Sequence, residues 1–473
     1  MPTVALANLG CKVNQYETER LAESFEACGF TVTDFRASAD VYVVNTCSVT
    51  ADADKKSRHT ARKAARQNPD AKVVLTGCFA QLALDTGEAV DGATLLVPNA
   101  EKMRAAAHVL RAFPDLFQYS SSPATCQVEP SDSSPSRFGR GAEERGGVGF
   151  GAGVAVFPES GLISLDARPA SVHRTRATLK IQDGCRYFCS FCSIPYTRST
   201  MASRPLADIL DEARRMAELG AREVVVTGVC VGAYGPETGS GGARLVDVLT
   251  SVADIDGIDR VRLSSVQPVE IPDEIIDAMA SHPNIAPHLH LSLQSGDDTI
   301  LAAMNRPYDT GYFADKVDRL RARIPEIGLT TDLIVGFPGE TEELFENTAR
   351  FAERMRFART HVFRYSPRQR TSAAELIDDV PFDVKERRHR ELTAVCTRSQ
   401  KEFAAQSIGK NVEVLVEAKG AREGWLSGYT GNYVRVNFAA DQVERGRIVP
   451  VRVTDLLPEG DAVGERIPPC LSG

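Results

Sequence analysis

At 473 residues the chain is too long for one ordinary domain, and length alone suggests about three. Its 43% hydrophobic and 25% charged content is that of a soluble globular protein, and no apolar stretch approaches the roughly 20 residues of a membrane span. The formal net charge of −8 weighs against a nucleic-acid partner for the chain as a whole, although a local basic face overrides such a sum.

The N-terminus, MPTVALANLGCKVNQ, lacks the basic region and cleavage site of a secretory leader and reads as a strand that starts the fold. The expectation is a cytoplasmic protein. Eleven cysteines in a reducing compartment are then buried thiols or metal ligands, not a disulfide framework.

In chain order, a short pattern first recurs three times. Val4–Leu9 is an apolar run followed by Gly10-Cys11, Val41–Val44 is followed by Asn45-Thr46-Cys47, and Val73–Leu75 by Thr76-Gly77-Cys78. Helices are predicted between these runs, over Tyr16–Cys28 (stopped by Gly29) and Ala51–Arg66 (stopped near Pro69). Strands alternating with helices imply a parallel sheet with right-handed crossovers. Parallel strands end on one edge, so a thiol after each strand brings Cys11, Cys47 and Cys78 together where open α/β sheets bind ligands. Each alone would read as a buried small hydrophobe.

From Phe117 to Val172 periodicity is lost and Ser, Pro and Gly accumulate, which reads as a linker. Its glycine run, Gly146–Gly153, has no clear strand before it and no helix after it, which argues against a phosphate-binding loop. Alternation then resumes. Strands are predicted at Thr178–Ile181, Glu223–Thr227, Arg260–Leu263, His288–Ser292, Leu329–Val335 and Thr360–Phe363. Helices such as Leu206–Leu219, Asp297–Met304, Phe313–Arg323 and Glu342–Arg356 lie between them. Six β/α units fit an incomplete barrel better than a closed barrel of eight. A basic helix over Val384–Gln406 follows, and from Gly409 short alternating runs predict a small all-β barrel of a kind that often binds oligonucleotides. The expected organisation is an α/β domain 1–116, a linker 117–172, a barrel 173–406 and a small β domain with its tail, 407–473.

Cys185-x3-Cys189-x2-Cys192 follows the first barrel strand directly. Three thiolates so close can wrap a four-iron cluster and leave one iron without a protein ligand. The amino and carboxylate groups of S-adenosylmethionine need such an iron to chelate, and Phe191 would then wall the adenine. Structural zinc sites want four ligands in two pairs, and no second pair lies nearby.

This spacing, at the end of the first strand of a six-unit barrel, resembles the radical S-adenosylmethionine superfamily. LGCKVNQYE, NTCSVTADADKKSR and TGC resemble the N-terminal domain of its methylthiotransferase family, and LSLQSG, MNRPY, DLIVGFPGET and HVFRYSPRQRT resemble that family's barrel motifs. The final domain is similar to its TRAM RNA-binding module. The first two motifs are most similar to the branch acting on threonylcarbamoyladenosine in tRNA. The resemblance implies two [4Fe-4S] clusters, one on Cys185, Cys189 and Cys192 and a second on Cys11, Cys47 and Cys78. It also implies S-adenosylmethionine contacts from Phe191, Thr227, Gly228, Gln267 and Gln294. Two positions depart from the family pattern. Cys230 stands where asparagine or histidine is more usual, and Gln267 stands in place of glutamate. Cys28, Cys126, Cys230, Cys396 and Cys470 form no grouping and read as packing or incidental thiols.

The predicted helix from Ala51 carries Lys55, Lys56, Arg58, Arg62, Lys63 and Arg66 with no acid after Asp54, a pattern that suggests phosphate contacts. Trp425, Tyr429, Tyr433 and Phe438 could include base-stacking groups, although core filling explains them equally well. His288 and His290 alternate along a strand and read as satisfied core histidines. The activity implied is addition of a methylthio group to carbon 2 of N6-threonylcarbamoyladenosine beside the anticodon. It calls for tRNA, a flavodoxin- or ferredoxin-like electron donor, a sulfur source the sequence does not identify, and no membrane. Isopentenyladenosine tRNA or a ribosomal protein is the same-family alternative substrate. A non-catalytic iron–sulfur RNA-binding protein is the alternative of another class.

Overall fold

The computed structural model describes residues 1–117, 175–439 and 445–468. The linker with its glycine run, Cys126 and Cys470 lie outside them. The described residues fall into two compact units, one comprising residues 1–117 with Cys192–Ser199 and Arg368–Arg370, the other the remainder.

The first unit is a parallel sheet with strands β1 (Thr3–Asn8), β2 (Thr31–Thr33), β3 (Val41–Thr46), β4 (Lys72–Gly77) and β5 (Leu95–Leu96), in the order β2-β1-β3-β4-β5. Strand alternation sends Val41 and Val43 to one face, where they pack with Leu21 and Phe25 of α1 (Lys12–Ala27). Tyr42 and Val44 go to the other, against Ala61 and Ala64 of α2 (Ala51–Gln67) and Phe79 of α3 (Cys78–Thr86). Helix α4 (Ala105–Ala112) covers the first face, and the short α5 (Ile194–Thr197) also belongs to this unit. With helices on both faces, the strands read as continuous apolar runs.

In the second unit, β6 (Arg176–Asp183), β7 (Ala202–Ser203), β8 (Glu223–Gly228) and β9 (Arg260–Leu263) form one sheet. A second sheet holds β10 (Ser265–Val266), β11 (His288–Leu291), β12 (Gly328–Val335) and β13 (Arg359–Arg364). Apart from the short antiparallel β7, all pairings are parallel. The crossovers carry α6 (Leu206–Glu218), α7 (Leu245–Ala253), α8 (Asp273–Ser281), α9 (Asp298–Ala303), α10 (Thr310–Arg323) and α11 (Glu342–Met355). The six long strands stand where alternation placed them. Helix α12 (Phe382–Ala405) then leads to a closed barrel of β14 (Asn411–Lys419), β15 (Trp425–Tyr429), β16 (Arg435–Ala439), β17 (Ile448–Leu456) and β18 (Ala462–Arg466), filled by Val414, Val436, Phe438 and Val451.

This small barrel docks on the N-terminal ends of β8, β9 and β11. Glu223 is fully buried between Arg262 (2.7 Å) and Arg260 (3.0 Å). The guanidinium groups also donate to the carbonyls of Tyr429, Thr430 and Gly431. Burial alone would raise the Glu223 carboxyl, but the flanking arginines hold it below its ordinary value. Tyr433 stacks on His288 at 4.3 Å and on Tyr429 at 4.7 Å. Gly328 is required for the contact, because a Cβ there would strike the carbonyl of Asn432. No helix among the described residues is long and apolar enough to cross a membrane.

Candidate functional site

Strands β1, β3 and β4 are neighbours, and each runs directly into a cysteine. Cys11 is the N-cap of α1, Cys47 follows β3, and Cys78 opens α3. The three thiols are therefore delivered to one sheet edge, two of them at the positive ends of helices. Gly10, at φ +98°, lets the first loop close, since a Cβ there would collide with the Cβ and Sγ of Cys47. Gly77, at φ +92°, likewise leaves room for the Thr46 carbonyl.

The loops are tied to one another. Asn14 Nδ2 donates to the carbonyls of Leu9 (2.9 Å) and Thr46 (2.8 Å), and Thr46 Oγ1 donates to the Thr76 carbonyl. The Val49 amide donates to Cys47 Sγ at 3.5 Å. Burial pushes the Cys47 thiol up to about 12, with the Cys78 and Cys11 sulfurs adding to the effect.

Each sulfur has a cation near enough to feel: Arg198 for Cys11, Arg368 for Cys47 and Lys102 for Cys78. Buried Glu17 anchors two of them, accepting from Lys102 Nζ at 2.6 Å and Arg198 Nη2 at 2.7 Å. Arg368 is held by Asp54 at 2.8 Å. Among the described residues no group of His, Cys, Asp or Glu converges as a single ion would require. With a cation beside each, the three sulfurs would suit an anionic iron–sulfur centre as thiolates.

The loop after β6 carries Cys185 and Cys189, and Cys192 follows half-buried. Many bonds shape it. Gln182 Nε2 donates to the carbonyls of Asp183 and Gly184, while its Oε1 accepts the Cys230 amide at 2.8 Å. Asn305 Nδ2 donates to the carbonyls of Tyr187 and Phe188, and Arg306 Nη1 lies 3.1 Å from Cys189 Sγ. The sequence motif MNRPY contains both of these residues. Its spacing carried no sign that they return to the cysteine loop.

Cys230 is not the incidental thiol its isolation in sequence suggested. Its Sγ lies 2.9 Å from Glu270 Oε1, and it also meets the Cys185 thiol. That contact holds the Cys185 thiol below its ordinary value and drives Cys230 upward. Gly232 makes room for Glu270, against which any Cβ would clash. Burial and the same carboxylate also raise Tyr187.

Of the other sequence candidates, Phe191 packs beside Ile300, Met304 and Phe337, Thr227 is buried at the end of β8, and Gly228 is pressed against Gln182. Gln294 holds φ +75°, an outlier for a non-glycine residue. Gln267 gives its amide to Glu270 Oε2, while its own buried Oε1 has no hydrogen-bond partner. Such an acceptor would suit a ligand hydroxyl.

On α2, Lys55, Lys56, Arg62 and Lys63 are exposed. Arg58 is half-buried, paired with Glu88 at 2.5 Å and laid over the Phe79 ring. Three of the four C-terminal aromatics are packing groups, because Phe438 fills the barrel and Tyr429 and Tyr433 form the docking contact. Trp425 remains half-exposed under Arg422.

Residues 3–96 match Uncharacterized protein family UPF0004, residues 179–352 the Radical SAM superfamily, and residues 405–465 the TRAM domain. The chain is 36% identical to the threonylcarbamoyladenosine tRNA methylthiotransferase MtaB of Bacillus subtilis, over 96% of this chain and 94% of that one. It is 33% identical to the tRNA-2-methylthio-N(6)-dimethylallyladenosine synthase of a Marinomonas species, over 97% and 96%. Among solved structures, the radical S-adenosylmethionine methyltransferase TsrM of Kitasatospora setae aligns over 79% of this chain and 75% of that chain, with a TM-score of 0.51 at 17% identity, a likeness of fold.

Proposed function

The chain belongs to the radical S-adenosylmethionine methylthiotransferase family, and we propose that it adds a methylthio group to carbon 2 of N6-threonylcarbamoyladenosine next to the anticodon of tRNA. The observation that carries this reading is the convergence of Cys11, Cys47 and Cys78 at one sheet edge, in a chain that also contains the Cys185-x3-Cys189-x2-Cys192 loop. Cys11, Cys47 and Cys78 would hold one [4Fe-4S] cluster, and Cys185, Cys189 and Cys192 the other. When bound, the clusters and S-adenosylmethionine supply the one-electron chemistry needed at an unactivated carbon–hydrogen bond and the methylthio unit itself.

The chain's own residues bind, orient and shield. Arg306 donates to Cys189 and fixes the loop, and Glu270 holds Cys230 and the Gln267 amide. The free Oε1 of Gln267 offers an acceptor to a cofactor hydroxyl. The exposed lysines and Arg62 of α2 are suited to RNA phosphates. The TRAM match at residues 405–465 supports an RNA acceptor. A tRNA acceptor and a flavodoxin- or ferredoxin-like reductant fit a cytoplasmic reaction.

The decisive experiment is mass spectrometry of tRNA nucleosides from a deletion strain. Loss of 2-methylthio-N6-threonylcarbamoyladenosine is expected, restored by the wild-type chain. Loss of the methylthio group from isopentenyladenosine alone would move the chain to the branch represented by the Marinomonas relative. Formation of 5′-deoxyadenosine by the reduced, reconstituted protein separates an enzyme from a cluster-bearing RNA binder.

A further inference from the structure

Residues paired across a parallel sheet point to the same face, and successive residues point to opposite faces. In the second unit one face of the strands is apolar. Leu179, Val224, Val226, Leu263 and Leu289 pack with helix residues such as Ile209 and Val248. The opposite, inner face is polar. Register aligns Lys180 with Thr227, His290 with Thr330, and Asp332 with His361. A barrel interior built only for packing would carry branched apolar side chains at these positions.

Exposure along this inner face is graded. At the floor, Glu223 and Arg262 are completely buried, closed off by the Tyr429–Tyr433 loop. Further along the strands, Lys180, His290 and Asp332 keep contact with solvent, and at the edge strand His361 and Phe363 are exposed. The inner face is therefore a cleft with polar walls and a sealed floor. Lys180 precedes Cys185 by five positions, so it stands on the wall below the cysteine loop. Its Nζ pairs with Asp183 Oδ2 at 2.5 Å, and His290 pairs with Asp332 at 3.3 Å while meeting Thr330 Oγ1 at 3.1 Å.

We propose that Lys180 and the His290–Asp332 pair, on the same inner face of the strands, read the substituent on N6 of the substrate adenine, Lys180 meeting its carboxylate and the pair its urea and hydroxyl groups. This rests on the reading of the substrate as threonylcarbamoyladenosine. Carbon 2 and carbon 6 of adenine flank the same ring nitrogen and carbon 6 bears N6, so a base presenting carbon 2 at the cysteine loop carries its N6 substituent on the adjoining side. The carboxylate then joins Asp183 as a second anionic partner of the ammonium. A dimethylallyl group has nothing to offer these side chains, and seating it would strip water from charged groups without replacing those hydrogen bonds.

The test uses reconstituted holoenzyme and anticodon stem-loops bearing N6-threonylcarbamoyladenosine, its neutral methyl ester, or dimethylallyladenosine. Dissociation constants and methylthio transfer are measured for each. The wild type should bind the free acid at least about tenfold more tightly than the ester, the worth of one charge-assisted hydrogen bond. Lys180→Met should bring that ratio near one with iron content and ester affinity unchanged, and Lys180→Arg should restore it. A ratio that survives in Lys180→Met overturns the proposal. So does a wild-type ratio of one, which decides the matter even if the methionine variant does not assemble. A wild type that transfers to dimethylallyladenosine and not to threonylcarbamoyladenosine defeats the functional reading itself, whatever the behaviour of Lys180.

Discussion

The two cysteine groups proposed as cluster ligands are assembled by opposite routes. Cys185, Cys189 and Cys192 lie within eight consecutive residues after a single strand, so chain connectivity alone keeps them close. Cys11, Cys47 and Cys78 come from three strands and meet only when the sheet has formed. The contiguous loop depends on side-chain bonds from Gln182, Asn305 and Arg306 for its shape. The dispersed site depends on glycines, a shared sheet edge and a buried network around Glu17. A dispersed site should therefore be the more sensitive to backbone change, and a contiguous one to loss of its hydrogen-bond partners.

The largest effect comes from separating the two. Cys47→Ala should remove about four of about eight irons after anaerobic reconstitution and abolish methylthio transfer while 5′-deoxyadenosine still forms. Cys189→Ala should remove the other half and abolish both. Iron analysis beside product chromatography reads each outcome, and equal loss from both sites in either variant would erase the distinction.

Gly10→Val sharpens the backbone half of the contrast. A side chain there strikes Cys47, so iron at the dispersed site should fall while S-adenosylmethionine cleavage persists. Retention of full iron content would show that the glycine is not needed for the site.

Glu223→Gln tests a region that serves neither cluster directly. Leaving Arg260 and Arg262 buried without their carboxylate should cost about 3–5 kcal/mol in denaturant unfolding. Because the native Glu223 carboxyl titrates below its unfolded counterpart, its stabilisation is present at neutral pH and is lost as pH falls through the native value. Wild type and variant should therefore converge in stability toward acid.

Cys230→Ser should act more weakly. As a hydrogen-bond partner of Cys185 and Glu270 and not a ligand, Cys230 is expected to leave iron content intact and to weaken S-adenosylmethionine binding by no more than about tenfold. Loss of half the iron would make it part of the site. Smallest of all, Lys55→Ala with Lys63→Ala should lower the salt-dependence slope of tRNA binding by about one for each phosphate no longer neutralised. Arg58→Ala should change it less, since its guanidinium is already engaged by Glu88.

Much of this was legible in one dimension. The repeat of apolar run and cysteine predicted a shared sheet edge because parallel strands must end together, and β/α alternation located the six barrel strands because each is a short run, apolar or alternating apolar with polar, between helices. Helices α3, α4, α7 and α8 were not specified. CFAQLALDT and LVDVLTSVA are nearly as compatible with a buried strand as with a short helix, and only packing decides between them.

Periodicity and spacing determined the alternation of strands and helices and the triad Cys185, Cys189 and Cys192, since both are properties of neighbours along the chain, while Cys11, Cys47 and Cys78 were marked by a repeat that only the sheet brings together. Tertiary structure alone decided which side chains come back to them. Arg306 reaches Cys189 across 117 positions, Arg198 reaches Glu17 across 181, and Arg262 finds the Thr430 carbonyl across 168. Contacts at that range are set by how sheets and barrels close, and no local pattern of residues records them.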